Sequence, residues 1–164
     1  EEVEKEKSQR HQRKIYAERH ILRKEFWTQL LEKTNQKTRL FGNISPSIYS
    51  WIGTGAGKSG IMYNFVISNR YARCEIYLDA GKDSKEINKR RFERLLENKK
   101  EIEEKFGDNL NWERLDNRRA SRISYEFKEG SLRNKENWEE VQNKLVDAMI
   151  KLVDVTKNHI LKLE

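Results

Sequence analysis

The sequence predicts an α+β fold, an antiparallel sheet of about four strands with long helices packed on one face. Three observations predict it. Residues Gly60 to Asp79 read GIMYNFVISNRYARCEIYLD, where apolar and polar residues alternate at period two. A second stretch of strand-like alternation lies between Leu110 and Phe127. Elsewhere the apolar residues recur at three- and four-residue spacing, the period of a helix with one buried stripe. The order αββαββα follows, and two hairpins separated by a helix suit an antiparallel sheet covered on one side.

Taken in order, residues 1–14 are charged with hardly an apolar side chain, and read as a charged linker or the frayed start of a helix. A single α+β domain occupies 15–164. Its first helix is marked by Ile15, Leu22, Phe26 and Leu30, widened by Trp27 and Leu31, and it ends over Thr34 to Lys37. The opposite side carries Arg13, Lys14, Arg19, Arg23 and Lys24, a phosphate-facing surface or a solvated face. Gly42 to Ser59 reads as a loop holding the only proline, with Ile48 to Ile52 as a short edge strand.

In the central hairpin Ile61, Tyr63, Phe65 and Ile67 share a face, and Ala72, Cys74, Ile76 and Leu78 continue it. Ser84 stands at the N-cap of a second helix, along which Phe92, Leu95, Leu96, Ile102 and Phe106 keep helical spacing until Gly107 stops it. The second hairpin pairs residues 110–115 with 122–127 around a turn at Asp116 to Arg119. After Gly130 a last helix carries Trp138, Val141, Leu145, Met149, Leu152 and Ile160.

At 164 residues the chain is long enough to remove roughly 70% of its unfolded surface from water. Charged residues reach 37%, which leans toward disorder, but four Trp, six Tyr and six Phe together with the periodicity argue for a core. The net charge of +7 is uneven: residues 1–41 hold 11 basic against 7 acidic residues, whereas 108–164 hold 11 of each. A local basic excess suits a polyanion, most often nucleic acid, or serves as a solubilising surface. One cysteine excludes an internal disulfide and a thiol zinc site. No uninterrupted apolar run reaches the ~18 residues of a membrane span, and no signal peptide is visible, so a cytoplasmic protein without membrane partners is expected. The chain starts at Glu1 without a methionine, which suggests a piece of something longer.

Gly53-Thr54-Gly55-Ala56-Gly57-Lys58-Ser59 resembles a nucleotide-binding P-loop but misses it twice. Ile52 stands where the first glycine belongs, and a strand rather than a helix follows. A flexible loop entering a hairpin is the expectation, with Lys58 free to touch a phosphate. On the polar side of the central hairpin stand Tyr71, Arg73, Glu75, Tyr77 and Asp79. Glu75 and Asp79 would suit a divalent cation, yet a restriction-type nuclease also wants a lysine two residues after the second carboxylate, and Tyr77 and Gly81 occupy those places. Tyr71, Tyr77 and Arg73 as a stacking platform for bases, or simple cross-strand pairing, are the other readings. His11, His20 and His159 share no ligand spacing. No catalytic residue, cofactor or metal site is assigned. The best basic cluster is Arg114, Arg118, Arg119 and Arg122 at the tip of the second hairpin, bound either to phosphate or to Asp108, Glu113, Asp116 and Glu126 nearby.

Glu25-Phe26-Trp27, Gly60 to Tyr63, Cys74 to Leu78, Phe92 to Leu95, Ile102 to Gly107, Leu110 to Trp112 and Ser121 to Ile123 occur in that order. This series resembles the prokaryotic family called domain of unknown function 4268. The resemblance implies company rather than chemistry: such domains often lie C-terminal to domains resembling PD-(D/E)XK nucleases, and no catalytic residues are established to carry over. It suggests a non-catalytic accessory domain in a DNA-processing, restriction or defence protein. The expected partners are nucleic acid, with DNA the expected form, and an N-terminal nuclease-like domain. Phosphate contacts fall to Arg118, Arg119, Arg122, Arg114, Lys58 and Arg73. The alternatives are a dimerisation or docking domain and, behind it, a metal-dependent nuclease resting on Glu75 and Asp79 with Glu25 or Glu113.

Overall fold

In the computed structural model, which describes residues 1–130 and 132–164, one antiparallel sheet of five strands runs in the order β1-β2-β3-β5-β4. The strands are β1 Trp51–Gly55, β2 Ile61–Ile67, β3 Ala72–Leu78, β4 Asn111–Glu113 and β5 Ser121–Phe127. The helices are α1 Glu2–Lys37, α2 Lys85–Leu96, α3 Lys99–Phe106 and α4 Trp138–Leu161, the last entered by a 3₁₀ turn at Lys135–Asn137.

The central hairpin forms as its alternation requires. Ile61, Tyr63, Phe65 and Ile67 of β2 and Ala72, Cys74, Ile76 and Leu78 of β3 are all buried on one face. Leu145, Met149 and Leu152 of α4 pack against them, and Phe26, Trp27 and Leu30 of α1, which packs on α4, join the same core. Each large apolar side chain removed from water stabilises the fold by about 1.5–3 kcal/mol. Two polar groups that enter this core find partners: Trp27 Nε1 donates to the Tyr49 carbonyl at 2.8 Å, and the Tyr63 hydroxyl meets Thr156 Oγ1 at 2.8 Å. Burial pushes the Tyr63 hydroxyl up to about 12 against the opposing pull of the Thr156 hydrogen bond. Cys74 is fully buried, and desolvation followed by the nearby Glu75 charge holds its thiol well above the usual range.

Three details depart from the sequence reading. β1 lies at Trp51–Gly55 rather than Ile48–Ile52, because Gly53 and Gly55 give alternation no side chain to act through. The predicted single helix over 85–106 is two, with Asn98 at the start of α3 and an Asn98 N–H to Leu95 carbonyl bond of the 3₁₀ type at the break. Ser84 does stand at the α2 N-cap, but its hydroxyl donates to the Gly81 carbonyl and accepts from Asn88 Nδ2 instead of capping an amide. Gly107 ends α3 in the left-handed conformation at φ 94°.

Two devices fasten the sheet ends. Gly60 sits at φ 83°, and a Cβ there would lie 2.7 Å from the Ala80 Cα, so only glycine lets the two ends of the β2–β3 hairpin meet. The loop between β4 and β5 closes on Lys89 of α2. Its ammonium, 5% exposed as a residue, donates to the carbonyls of Arg114, Leu115 and Ala120 and to Ser121 Oγ, at 2.9 Å for Leu115 and 2.7 Å for Ala120. Leu115 takes a positive φ of 56° within this loop.

Helix α1 is about 54 Å long at 1.5 Å per residue. Its C-terminal half carries the buried stripe, and every residue from 1 to 14 is exposed. Among the described residues no helix is long and apolar enough to cross a membrane.

Candidate nucleic-acid interface

The face of the sheet opposite the buried hairpin face is organised by register into three rows. Trp51, Val66, Arg73 and Glu126 form one row, and Gly55, Met62, Tyr77, Arg122 and Glu113 another. Between them runs Gly53, Asn64, Glu75, Ser124 and Asn111. The middle row is small at Gly53 and Ser124, and the outer rows are large, so the sheet is hollowed along its centre. A concavity of about 470 Å³ results, within the ~300–1,000 Å³ range of ligand clefts. Its lining includes Trp51, Asn64, Tyr71, Glu75, Tyr77 and Arg122.

At its floor Glu75 is 3% exposed and Asn64 5%. Glu75 Oε1 accepts from Arg73 Nε at 2.9 Å, and Oε2 lies 3.4 Å from Asn64 Nδ2. The Arg73 guanidinium lies over the Tyr71 ring, 5.1 Å from its centroid. Asn64 Oδ1 is buried without a hydrogen-bond partner and rests on the bare Cα of Gly53. A Cβ at Gly53 would meet that oxygen at 1.8 Å. Gly53→Ala is therefore expected to swing the Asn64 amide off Glu75 and to cost about 1–3 kcal/mol in urea unfolding. Adding Asn64→Ala should recover part of the loss, a non-additivity that a double-mutant cycle reads directly.

The arginines singled out by sequence are mostly committed to carboxylates. Arg119 holds Asp79 bidentately through Nε and Nη2, both at 2.8 Å. Arg114 binds Glu93 and Asp116, and Arg122 Nε donates to Glu113 at 2.7 Å. Burial opposes the Arg122 charge, but the Glu113 hydrogen bond and charge outweigh it and raise its pKa. Arg73 and Arg122 line the concavity, whereas Arg118 is exposed at the loop tip. Lys58 reaches the Leu163 carbonyl, and Arg91 donates to the carbonyls of Ser59 and Glu164, so both brace the glycine loop against the C-terminal segment. That loop leads straight from β1 into β2, with no helix N-terminus to meet a phosphate.

Glu75 and Asp79 line the same concavity, but Glu25 pairs with Lys135 on another part of the molecule. Among the described residues no three His, Cys, Asp or Glu side chains are grouped as a metal would require. The Asp79–Arg119 pair makes a pH prediction. Arg119, followed by the Gly81 amide, lowers the Asp79 pKa against the opposing effect of burial. A depressed carboxylate contributes stability that is present above the ordinary Asp value of about 3.9 and lost as pH falls from there through the lowered folded value. In acid unfolding, Arg119→Gln should flatten that part of the stability profile.

The largest concentration of unpaired charge lies elsewhere, on α1. Residues 7–24 contain seven Lys or Arg against one acidic residue, a surplus of six, preceded by a deficit of three over residues 1–6 and followed by a surplus of four over residues 25–164. Lys7, Arg10 and Lys14 recur at three- and four-residue spacing and share one face, with Arg13 one turn from Arg10. Among the described residues Lys7, Arg10, Arg13, Lys14, Arg19 and Lys24 form no ion pair. Arg23 anchors the base of this segment, donating to the Ile48 carbonyl near Ser50 and Trp51 of the concavity. Its pKa is lowered by burial and then by Arg19. The sequence reading grouped Arg13, Lys14, Arg19, Arg23 and Lys24 on one side of the helix, as a phosphate-facing surface or a solvated face, without Lys7 and Arg10; ranking them above the hairpin arginines needs the pairing that only the fold reveals.

A family model described as Domain of unknown function (DUF4268) matches residues 22–160. The chain belongs to that family. No curated protein matches the chain, and no solved structure does. The concavity lies wholly inside the matched DUF4268 region, while most of the exposed basic segment of α1 precedes it.

Proposed function

We propose that this DUF4268 domain is a non-catalytic nucleic-acid-binding module, an accessory to a nuclease-like domain in a DNA-processing, restriction or defence protein. The observation that carries the reading is the placement of charge. Residues 7–24 carry a surplus of six positive charges on one mostly exposed helical segment, against a surplus of four spread over residues 25–164. Unpaired cations along a projecting helix suit a phosphate backbone, because each neutralised phosphate releases counterions. In this reading Lys7, Arg10, Arg13, Lys14 and Arg118 contact phosphate, and Arg73 and Arg122 act within the concavity. Arg114, Arg119 and Lys58 hold the fold. Fluorescence anisotropy with labelled single-stranded and duplex DNA tests it at two salt concentrations. Binding that weakens steeply with salt is expected, and no binding at low salt would refute it.

A specific observation favours a second reading, a docking or dimerisation domain. Ile48, Tyr49 and Trp51 are exposed together beside β1, whose outer edge pairs with no strand among the described residues. A nuclease-like domain or a second copy of the chain would cover that edge. Light scattering of the purified domain checks self-association: a concentration-independent monomer rules out the homodimer.

A further inference from the structure

We infer that the concavity on the open sheet face receives one unpaired guanine base. This deepens the nucleic-acid reading and rests on it. The floor is where the discrimination arises. A carboxylate presents acceptors side by side and no donor. Guanine is the base whose Watson–Crick edge offers two adjacent donors, N1–H and the N2 amino group. Adenine and cytosine present one amino donor beside a ring acceptor, and thymine or uracil a single N–H between two carbonyls.

Glu75 supplies that pair of acceptors at the centre of the hollow, and each oxygen so far accepts a single hydrogen bond. Arg73 and Arg122, on either side of the central row, are the complementary donors. A guanidinium fork fits the O6 and N7 acceptors on guanine's other edge. Asn64 sets the tilt of the carboxylate, and the bare Gly53 leaves the neighbouring floor open. Above the floor stand Trp51, at 45% exposure, and half-buried Tyr71 and Tyr77, whose ring faces suit stacking of a base free of its duplex partner.

The local charge also favours a base over a phosphate. Arg73 with Glu75, Arg122 with Glu113 and Arg119 with Asp79 leave the cleft close to neutral, while the phosphate-seeking charge lies along α1. Arg23 donates to the Ile48 carbonyl, three residues before Trp51 on the rim of the hollow, so the basic helix and the hollow approach each other at the β1 edge of the sheet.

The test uses a labelled ten-residue oligothymidine and the same strand with one central guanosine, inosine or adenosine, titrated with the full chain at fixed low salt. Guanosine is expected to bind about tenfold more tightly than plain oligothymidine, and inosine, which lacks the N2 amino donor, should lose most of that gain. Glu75→Gln should abolish the guanosine preference, so that the guanosine strand and plain oligothymidine bind alike. Should Glu75→Gln fail to fold, Tyr77→Ala serves instead, expected to weaken the guanosine strand selectively. Equal binding of all four strands by the wild type would overturn the guanine site and leave the nucleic-acid reading standing. No binding of any strand at low salt would overturn both.

Discussion

Lys89→Met is expected to destabilise the domain strongly, lowering the free energy of unfolding by about 3 kcal/mol. The lysine is buried on α2, and its ammonium holds three carbonyls and one hydroxyl of the β4–β5 loop. Desolvation and then the charges of Lys85 and Arg114 lower its pKa, so the site tolerates the charge only because those oxygens surround it. Methionine matches the stem in length and removes the charge, which isolates the hydrogen bonds from the packing. The Arg114 carbonyl keeps the Ser121 hydroxyl and the Leu115 carbonyl keeps the Arg118 amide, so the cost falls on the Ala120 carbonyl and on the lost charge-assisted bonds that tie α2 to the loop carrying Arg118 and Arg119. Chemical denaturation measures the loss, against a total of about 5–15 kcal/mol typical of a domain. A change below about 0.5 kcal/mol would show that the loop closes without it.

That lysine also shows where sequence reasoning stops. Lys89 occupies one position in a helix full of charged residues, and nothing in its spacing separates it from exposed Lys85 or Arg90. Its role depends on carbonyls more than twenty residues away, a long-range fact with no local signature. The hairpin at Gly60 to Asp79 was legible because period-two alternation is itself the consequence of one buried face. β1 was misplaced by three residues because glycine leaves that pattern blank. The concavity was half legible: Arg73, Glu75 and Tyr77 stand out on β3 and Tyr71 just before it, but Asn64, Gly53 and Arg122 join them only through register across neighbouring strands. The hairpin arginines stood out by clustering, and the same clustering brought acidic partners, which the fold then joined to them in pairs.

The second large effect is expected on binding. Replacing Lys7, Arg10, Arg13 and Lys14 together by glutamine should weaken association with single-stranded DNA by about a hundredfold or more near 0.1 M salt, because four phosphate contacts and their counterion release are lost. All four residues are exposed and touch no part of the core, so thermal stability should barely change. Glutamine keeps helix propensity close to that of lysine and arginine, which separates the effect of charge from that of α1 unwinding.

In this reading α1 carries most of the phosphate contacts while the nearly neutral sheet face carries none. Salt dependence tests it most directly, by plotting log Kd against log salt concentration for the wild type and the four-glutamine variant on one oligonucleotide. Each phosphate contact to a single strand contributes about 0.7 to the slope. The variant's slope is expected to be shallower by about 2 to 3, with a residual slope of about 0.7 from Arg118. Equal slopes for the two proteins would contradict it, and would return the phosphate contacts to the body of the domain.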